Sequence, residues 1–255
     1  MGDNYLKKIQ FITLTSILLL LLIVIPTGFA ANNETVIADG NETMLTGGSE
    51  DILSDEYYFD ASVDNDDGDG SIYNPYQKLT PYRVKSDSIN HLDSGVYDFN
   101  NGASFKNVTM IGASPADTIV KNAVIASSDN LVLYNLTFVD STFIVENEFT
   151  AINCIFTNST SKSYGAVIYP SGDNMVKITL DGCTFSNNDA VCGGAIYIID
   201  GTLNIKNSVF INNTAKLFGG AIAAVRSSLS LENITARNYK AGADGGVVYS
   251  LFGNF

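Results

Sequence analysis

An internal repeat runs through the second half of this 255-residue chain and leaves few folds open to it. Set in register on Phe138, Phe156, Phe185, Phe210 and Ala236, the copies carry Leu131, Phe149, Ile178, Leu203 and Leu229 seven residues earlier. Five residues earlier they carry Leu133, Ala151, Leu180, Ile205 and Leu231. Val132, Thr150, Thr179, Asn204 and Ser230 stand between these two columns, which gives the period of two of a strand with one buried face. Eight or nine residues after the anchor come Tyr164-Gly165-Ala166-Val167-Ile168-Tyr169, Gly193-Gly194-Ala195-Ile196-Tyr197, Gly219-Gly220-Ala221-Ile222 and Gly245-Gly246-Val247-Val248-Tyr249, spaced by 29, 26 and 26 residues.

A unit of this size, with short strands, Gly and Asn between them and no helical periodicity, cannot bury both faces alone. Stacked on its copies it can, as one coil of a parallel β-solenoid whose columns become ladders of like side chains about 4.8 Å apart. The expected fold is all-β, a single-stranded parallel β-helix of about six coils with Leu, Ile and Phe ladders inside and the Gly pairs at a corner. Leucine-rich repeats are excluded by the missing Leu spacing and helical segment, and a β-sandwich would not hold a constant interval between copies.

Two polar columns belong to the same register. Asp140, Asn158, Asn187, Asn212 and Asn238 follow the anchor by two residues, and Asn135, Asn153, Gly182, Asn207 and Asn233 precede it by three. Asn tolerates left-handed bends and its amide can bond the amide of the next coil, so both columns read as ladders that pin corners. Seven Asn-X-Ser/Thr sequons occur, at Asn33, Asn41, Asn107, Asn135, Asn158, Asn212 and Asn233. The last four lie in the ladders, where an inward or stacked amide would exclude a glycan, so Asn33, Asn41 and Asn107 are the expected glycosylation sites. Cys154 and Cys183 both stand two residues before the anchor, where they are either an interior ladder with Leu136, Ser208 and Ile234 or a disulfide between neighbouring coils. Cys192 has no counterpart in register.

The start of the chain has a different character. Lys7 and Lys8 precede an apolar run from Ile9 to Ile25, and Gly28-Phe29-Ala30 offers small residues for cleavage, so residues 1–30 read as a signal peptide, with an uncleaved anchor as the rival. Either way everything after Ala31 is exported, to the extracellular space or cell surface. Residues 31–56 read as a flexible polar linker, 57–94 as an entry or cap region and 95–255 as β-helix repeats. In the entry region Asn65, Asp67, Asp69 and Gly70 fit the opening of a calcium loop, but Tyr76 stands where the closing acidic ligand belongs; a polar, turn-rich loop is the preferred reading and calcium the alternative.

Composition decides between functions. A net charge of −13 excludes binding to nucleic acid by default, because phosphate recognition needs a concentrated basic surface. Catalysis fares poorly too. The basic residues Lys162, Lys177, Lys206, Lys216, Arg226, Arg237 and Lys240 fall in different columns, and the acidic residues Asp173, Asp181, Asp189, Asp200, Glu232 and Asp244 scatter likewise. The sole histidine, His91, precedes the first recognised coil and reads as a surface residue. Neither catalytic, cofactor nor metal residues are therefore assigned. Outward positions rich in Ser, Thr, Asn and Tyr suit weak repeated contacts that multivalency strengthens.

The pattern Phe185-Ser186-Asn187-Asn188 with Gly193-Gly194-Ala195-Ile196-Tyr197, repeated as Phe210-Ile211-Asn212-Asn213 with Gly219-Gly220-Ala221-Ile222, resembles the repeat of the chlamydial polymorphic outer-membrane proteins. It is also similar to adhesin-like surface proteins of methanogenic archaea. The resemblance implies a right-handed parallel β-helix of the pectin-lyase-like kind and a non-catalytic role in adhesion to glycans or proteins of neighbouring or host cells. Its alternatives are a polysaccharide lyase or hydrolase on the same fold and a passive envelope spacer. Members are often longer and attach to the membrane or wall through segments this sequence lacks. Val247 to Phe255 carry no polar capping segment, which is expected of a truncated product or of an end coil covered by a stacking partner.

Overall fold

The computed structural model describes residues 55–253 except Asn65 and Asp173. The expected signal peptide, most of the expected linker, and Asn33, Asn41, Asn254 and Phe255 lie outside the described residues. From Ser88 onward the chain winds as a right-handed parallel β-helix, the hand that parallel crossovers take. Seven coils stack, spanning Ser88–Phe105, Val108–Ser127, Asn130–Val145, Glu148–Pro170, Lys177–Ile199, Thr202–Val225 and Ser228–Leu251. Each gives one strand to each of three parallel sheets. The fifth coil is representative, with Lys177–Asp181 in the first sheet, Thr184–Ser186 in the second and Ile196–Ile199 in the third. An additional strand, Asp55–Phe59, pairs in parallel with Ser88–Leu92 and makes the first sheet eight-stranded.

The expected columns are the observed ladders. Leu131, Phe149, Ile178, Leu203 and Leu229 are consecutive register partners, and so are Phe138, Phe156, Phe185, Phe210 and Ala236. The four phenylalanines are buried and stack along the axis, with centroids 5.6, 4.9 and 4.9 Å apart. Strands form because inward apolar and outward polar residues alternate, and each of coils three to seven turns at two corners through a residue in the left-handed conformation. Asn135, Asn153, Gly182, Asn207 and Asn233 have φ between 48° and 62°, and Asp140, Asn158, Asn187, Asn212 and Asn238 between 49° and 61°.

Several expectations need correction. The fold has seven coils rather than about six, because the first two coils fill the phenylalanine column with Tyr97 and Val120 and so escape a search for Phe. The first sheet reaches back to Asp55, inside the span assigned to linker and entry. Tyr164-Gly165 does not sit over Gly193-Gly194. Tyr164 bridges Cys192 and Ile168 pairs with Ile196, so Gly165 matches Gly193 at an interval of 28 residues, one short of the 29 between Phe156 and Phe185. Charges are not scattered either. Glu148 lies beside Lys177, Lys206 beside both Asp181 and Glu232, and Asp200 beside Arg226, so opposite signs alternate up the columns in register.

The Asn ladders exist but face outward. Asn153 donates to Asn135 at 2.8 Å, Asn233 to Asn207 at 2.9 Å and Asn212 to Asn187 at 3.0 Å, all at the surface. Asn107 makes the same kind of contact, donating to Asp87 at 2.8 Å. Asn158, by contrast, is exposed and its side chain makes no hydrogen bond among the described residues. The buried polar ladder is the next position along: Ser141, Ser159, Asn188 and Asn213 are at most 1% exposed. Ser159 N–H donates to Asn188 Oδ1 at 3.0 Å, and Asn188 Nδ2 donates to Asn213 Oδ1 at 3.0 Å and to the Phe156 carbonyl at 3.2 Å.

Candidate functional site

Coils five to seven carry one strand more than the coils before them. Asp189–Cys192, Thr214–Phe218 and Lys240–Ala241 form a fourth, three-stranded sheet between the second sheet and the third. The Gly pair then turns the chain back into the third sheet. Gly193 has φ +65°, and a Cβ on Gly194 would lie 2.2 Å from the Gly220 carbonyl of the next coil. Backbone rests on backbone there, and only glycine permits it.

The angle between the fourth and third sheets is an open groove of about 420 Å³. Tyr164, Cys192 and Phe218 follow one another in register on its fourth-sheet side. Tyr197, Ala223 and Tyr249 do so on the third-sheet side. Tyr164 stacks on Tyr197 at 4.4 Å and 27°, and Phe218 on Tyr249 at 4.7 Å and 25°. Two aromatic pairs of the same build therefore stand two coils apart, roughly 9.6 Å along the axis. Each of coils four to seven contributes one of the four rings, with Cys192 on the same coil as Tyr197 and Ala223 on the same coil as Phe218. Leu217, Val225 and Leu251 extend the apolar lining, and Lys162 and Ser163 stand at the rim. Burial raises the Tyr197 phenol above its ordinary value of 10.0, with smaller contributions from Tyr164 and Cys192.

The remaining sequence candidates lie apart from this groove. His91 is not a surface residue: its side chain is 18% exposed, stacks on Tyr58 at 4.7 Å, and holds Nε2 3.3 Å from the Glu56 carboxylate without hydrogen-bond geometry. Burial pulls its imidazole below 6.5, while Glu56 acts in the opposite direction. In the entry loop Asp69 accepts from Ser71 N–H at 2.9 Å and Asp66 pairs with Lys78 and Arg83, whose guanidinium lies over the Tyr76 ring. Asn65 lies outside the described residues, among which His, Cys, Asp and Glu form no group of three able to hold a metal. Of the loop's acids, Asp66 and Asp69 turn to internal partners.

All three cysteines are free thiols. Cys154 and Cys183 occupy the interior ladder, where Cys154 Sγ donates to the Ile152 carbonyl and Cys183 Sγ to the Ala151 carbonyl, each at 3.3 Å. Burial pushes the Cys154 thiol far up and the Cys183 thiol to about 11. Cys192, without a counterpart in the repeat, is the groove's thiol and is 8% exposed. None of the groove's aromatic residues stood out in the sequence, although the four Gly-containing blocks already held Tyr164, Tyr197 and Tyr249.

Fold and groove together define a right-handed parallel β-helix with an aromatic cleft along its flank. Within it, residues 182–199 and 207–225 match the model of the Chlamydia polymorphic membrane protein repeat, which places the similarity on the fifth and sixth coils. No curated protein and no solved structure matches the chain.

Proposed function

We propose that this chain is an exported, cell-surface, adhesin-like β-helix that binds glycans or proteins of neighbouring or host cells and does not catalyse a reaction. The observation that carries the reading is where the groove lies. Cys192, Tyr197, Phe218, Ala223 and Val225 line it and fall inside the two segments that resemble the polymorphic membrane protein repeat. The resemblance to archaeal adhesin-like surface proteins, read from the sequence alone, belongs to the same proposal. A stack of coils is a rigid platform, and weak contacts repeated along it gain strength when many copies share a surface.

The test is attachment. Beads coated with the full chain are expected to adhere to cultured cells, and soluble chain to compete. Adhesion no greater than that of albumin-coated beads would refute the reading, and release of reducing ends or unsaturated products from polysaccharides, abolished by substituting an acidic pair, would replace it with an enzyme.

A further inference from the structure

We propose that Asn158 is an N-glycosylation site of the folded chain, the acceptor of a sugar carried on a phosphate; this goes beyond the adhesin reading and does not rest on it. Five of the seven sequons lie among the described residues, at Asn107, Asn135, Asn158, Asn212 and Asn233. Exposure does not separate them, since Asn107, Asn212 and Asn233 are exposed as Asn158 is. Bonding does. Asn107 donates its side-chain amide to Asp87, Asn212 to Asn187 and Asn233 to Asn207, and the half-buried Asn135 accepts from Asn153. The side-chain amide of Asn158 makes no hydrogen bond among the described residues.

The hydroxyl residue two places on divides the sequons in the same way. Thr109, Thr137, Thr214 and Thr235 each stand in a strand of a parallel sheet, so presenting them to an enzyme means opening a ladder. Thr137 is also buried and donates to the Pro115 carbonyl at 2.6 Å. Thr160 lies outside the strands, is exposed, and meets the next coil through an isolated bridge to Asp189; its hydroxyl has no partner among the described residues. Ser159, between Asn158 and Thr160, is buried, and its hydroxyl donates to the Ser141 carbonyl at 2.8 Å. With Ser159 turned inward, Asn158 and Thr160 face solvent together, offering at once the amide and the hydroxyl that define a sequon. In the transfer, Asn158 Nδ2 forms a bond to C1 of the sugar and the C1–O bond to phosphate breaks. The phosphate departs with the electron pair, and the amide proton passes to a base of the transferase. The donor is thus a glycosyl phosphate, linked to a nucleotide or to a lipid.

The experiment gives the folded full chain to a transferase in two arms, a soluble N-glycosyltransferase with UDP-glucose and an oligosaccharyltransferase with a polyprenyl-diphosphate oligosaccharide. Modified asparagines are located by mass spectrometry after proteolysis. Short peptides spanning each of the five sequons, given to the same enzymes, supply the intrinsic acceptor rates. The ratio of folded-chain to peptide rate is expected to be higher at Asn158 than at Asn107, Asn135, Asn212 or Asn233 by at least about tenfold. Transfer in one arm alone supports the site and identifies its donor. Thr160→Ala should abolish modification of Asn158 and leave the other sites as they were, Thr160→Ser should retain it, and circular dichroism will show that both variants are folded. An unmodified Asn158 in both arms, equal ratios at the five sequons, or modification of Asn158 that persists in Thr160→Ala would each overturn the assignment. None of these outcomes depends on whether chain-coated beads adhere to cells, so the site and the adhesin reading stand or fall separately.

Discussion

Asn187 and Asn188 are neighbours with the same side chain and opposite surroundings, so replacing each with alanine separates what the two Asn ladders contribute. Asn188 is 0% exposed; its Oδ1 accepts the Ser159 N–H and its Nδ2 reaches Asn213 and the Phe156 carbonyl. Alanine there strands a buried N–H, at about 1–3 kcal/mol, and forfeits the bonds made by the amide, at about 1 kcal/mol net. The expected loss is about 3 kcal/mol. Asn187 is exposed, accepts one amide bond from Asn212, and has φ 58°. Alanine there gives up a solvated bond and adopts a left-handed conformation, for a loss of about 1 kcal/mol. Asn188→Ser provides a control from the molecule itself, because the same column holds Ser159, whose hydroxyl accepts the Ser141 N–H at 3.0 Å. Serine should recover roughly half of the loss, at about 1–2 kcal/mol. Urea unfolding of the full chain, followed by circular dichroism and tyrosine fluorescence, gives the differences from midpoint shifts at a common slope. Equal losses for Asn187→Ala and Asn188→Ala, or an Asn188→Ala variant within about 0.5 kcal/mol of the parent, would refute the view that the inward ladder bears the load.

Among the described aromatic rings Phe156 contacts those of Phe138, Phe143 and Phe185, whereas Phe210 stacks on Phe185 alone and faces Ala236 in the next coil; Phe156→Ala should cost about 4–5 kcal/mol and Phe210→Ala about 3, read by the same unfolding curves. A Cβ on Gly220 would sit 2.2 Å from the Gly246 carbonyl, while one on Gly102 would meet nothing nearer than 3.9 Å. Gly220→Ala should therefore cost about 3 kcal/mol and Gly102→Ala stay within about 0.5. The folded pKa of His91 lies below its ordinary 6.5. The unfolded chain thus takes up a proton that the folded one resists, and stability should fall as pH drops through 6.5 and level off below the folded pKa. His91→Phe should flatten that part of a thermal-melting profile against pH, and an unchanged slope would exclude His91 as its source.

The ladders were legible because a parallel stack converts equal sequence position into spatial contact, so five copies of Leu131, Leu133 and Phe138 could be aligned without knowing any coordinates. What escaped was whatever broke the equality. The first coils put Tyr97 and Val120 where later ones put Phe, and the single-residue slip between Thr160 and Tyr164 shifted one Gly block against its neighbours. Direction escaped as well. Asn at a left-handed corner points outward, and the inward polar place falls one residue later, at Asn188 and Asn213, whose pairing with Asn187 and Asn212 in the motif hid the difference.

The groove was harder to read for a reason that follows from the same geometry. Column arithmetic finds residues that stack on their own kind, and the groove's aromatics do not. Tyr164 stacks diagonally on Tyr197 and Phe218 on Tyr249, across two columns and one coil, while Cys192 and Ala223 interrupt both columns where an aromatic would have completed them. In a repeat protein the invariant positions hold the coils together, and here a small side chain in one column stands on the same layer as an aromatic of the other, Cys192 with Tyr197 and Ala223 with Phe218. Ala223 between Tyr197 and Tyr249, and Cys192 between Tyr164 and Phe218, are such positions, which makes the breaks in these two columns, more than their agreement, the feature that sets this flank of the solenoid apart from its other faces.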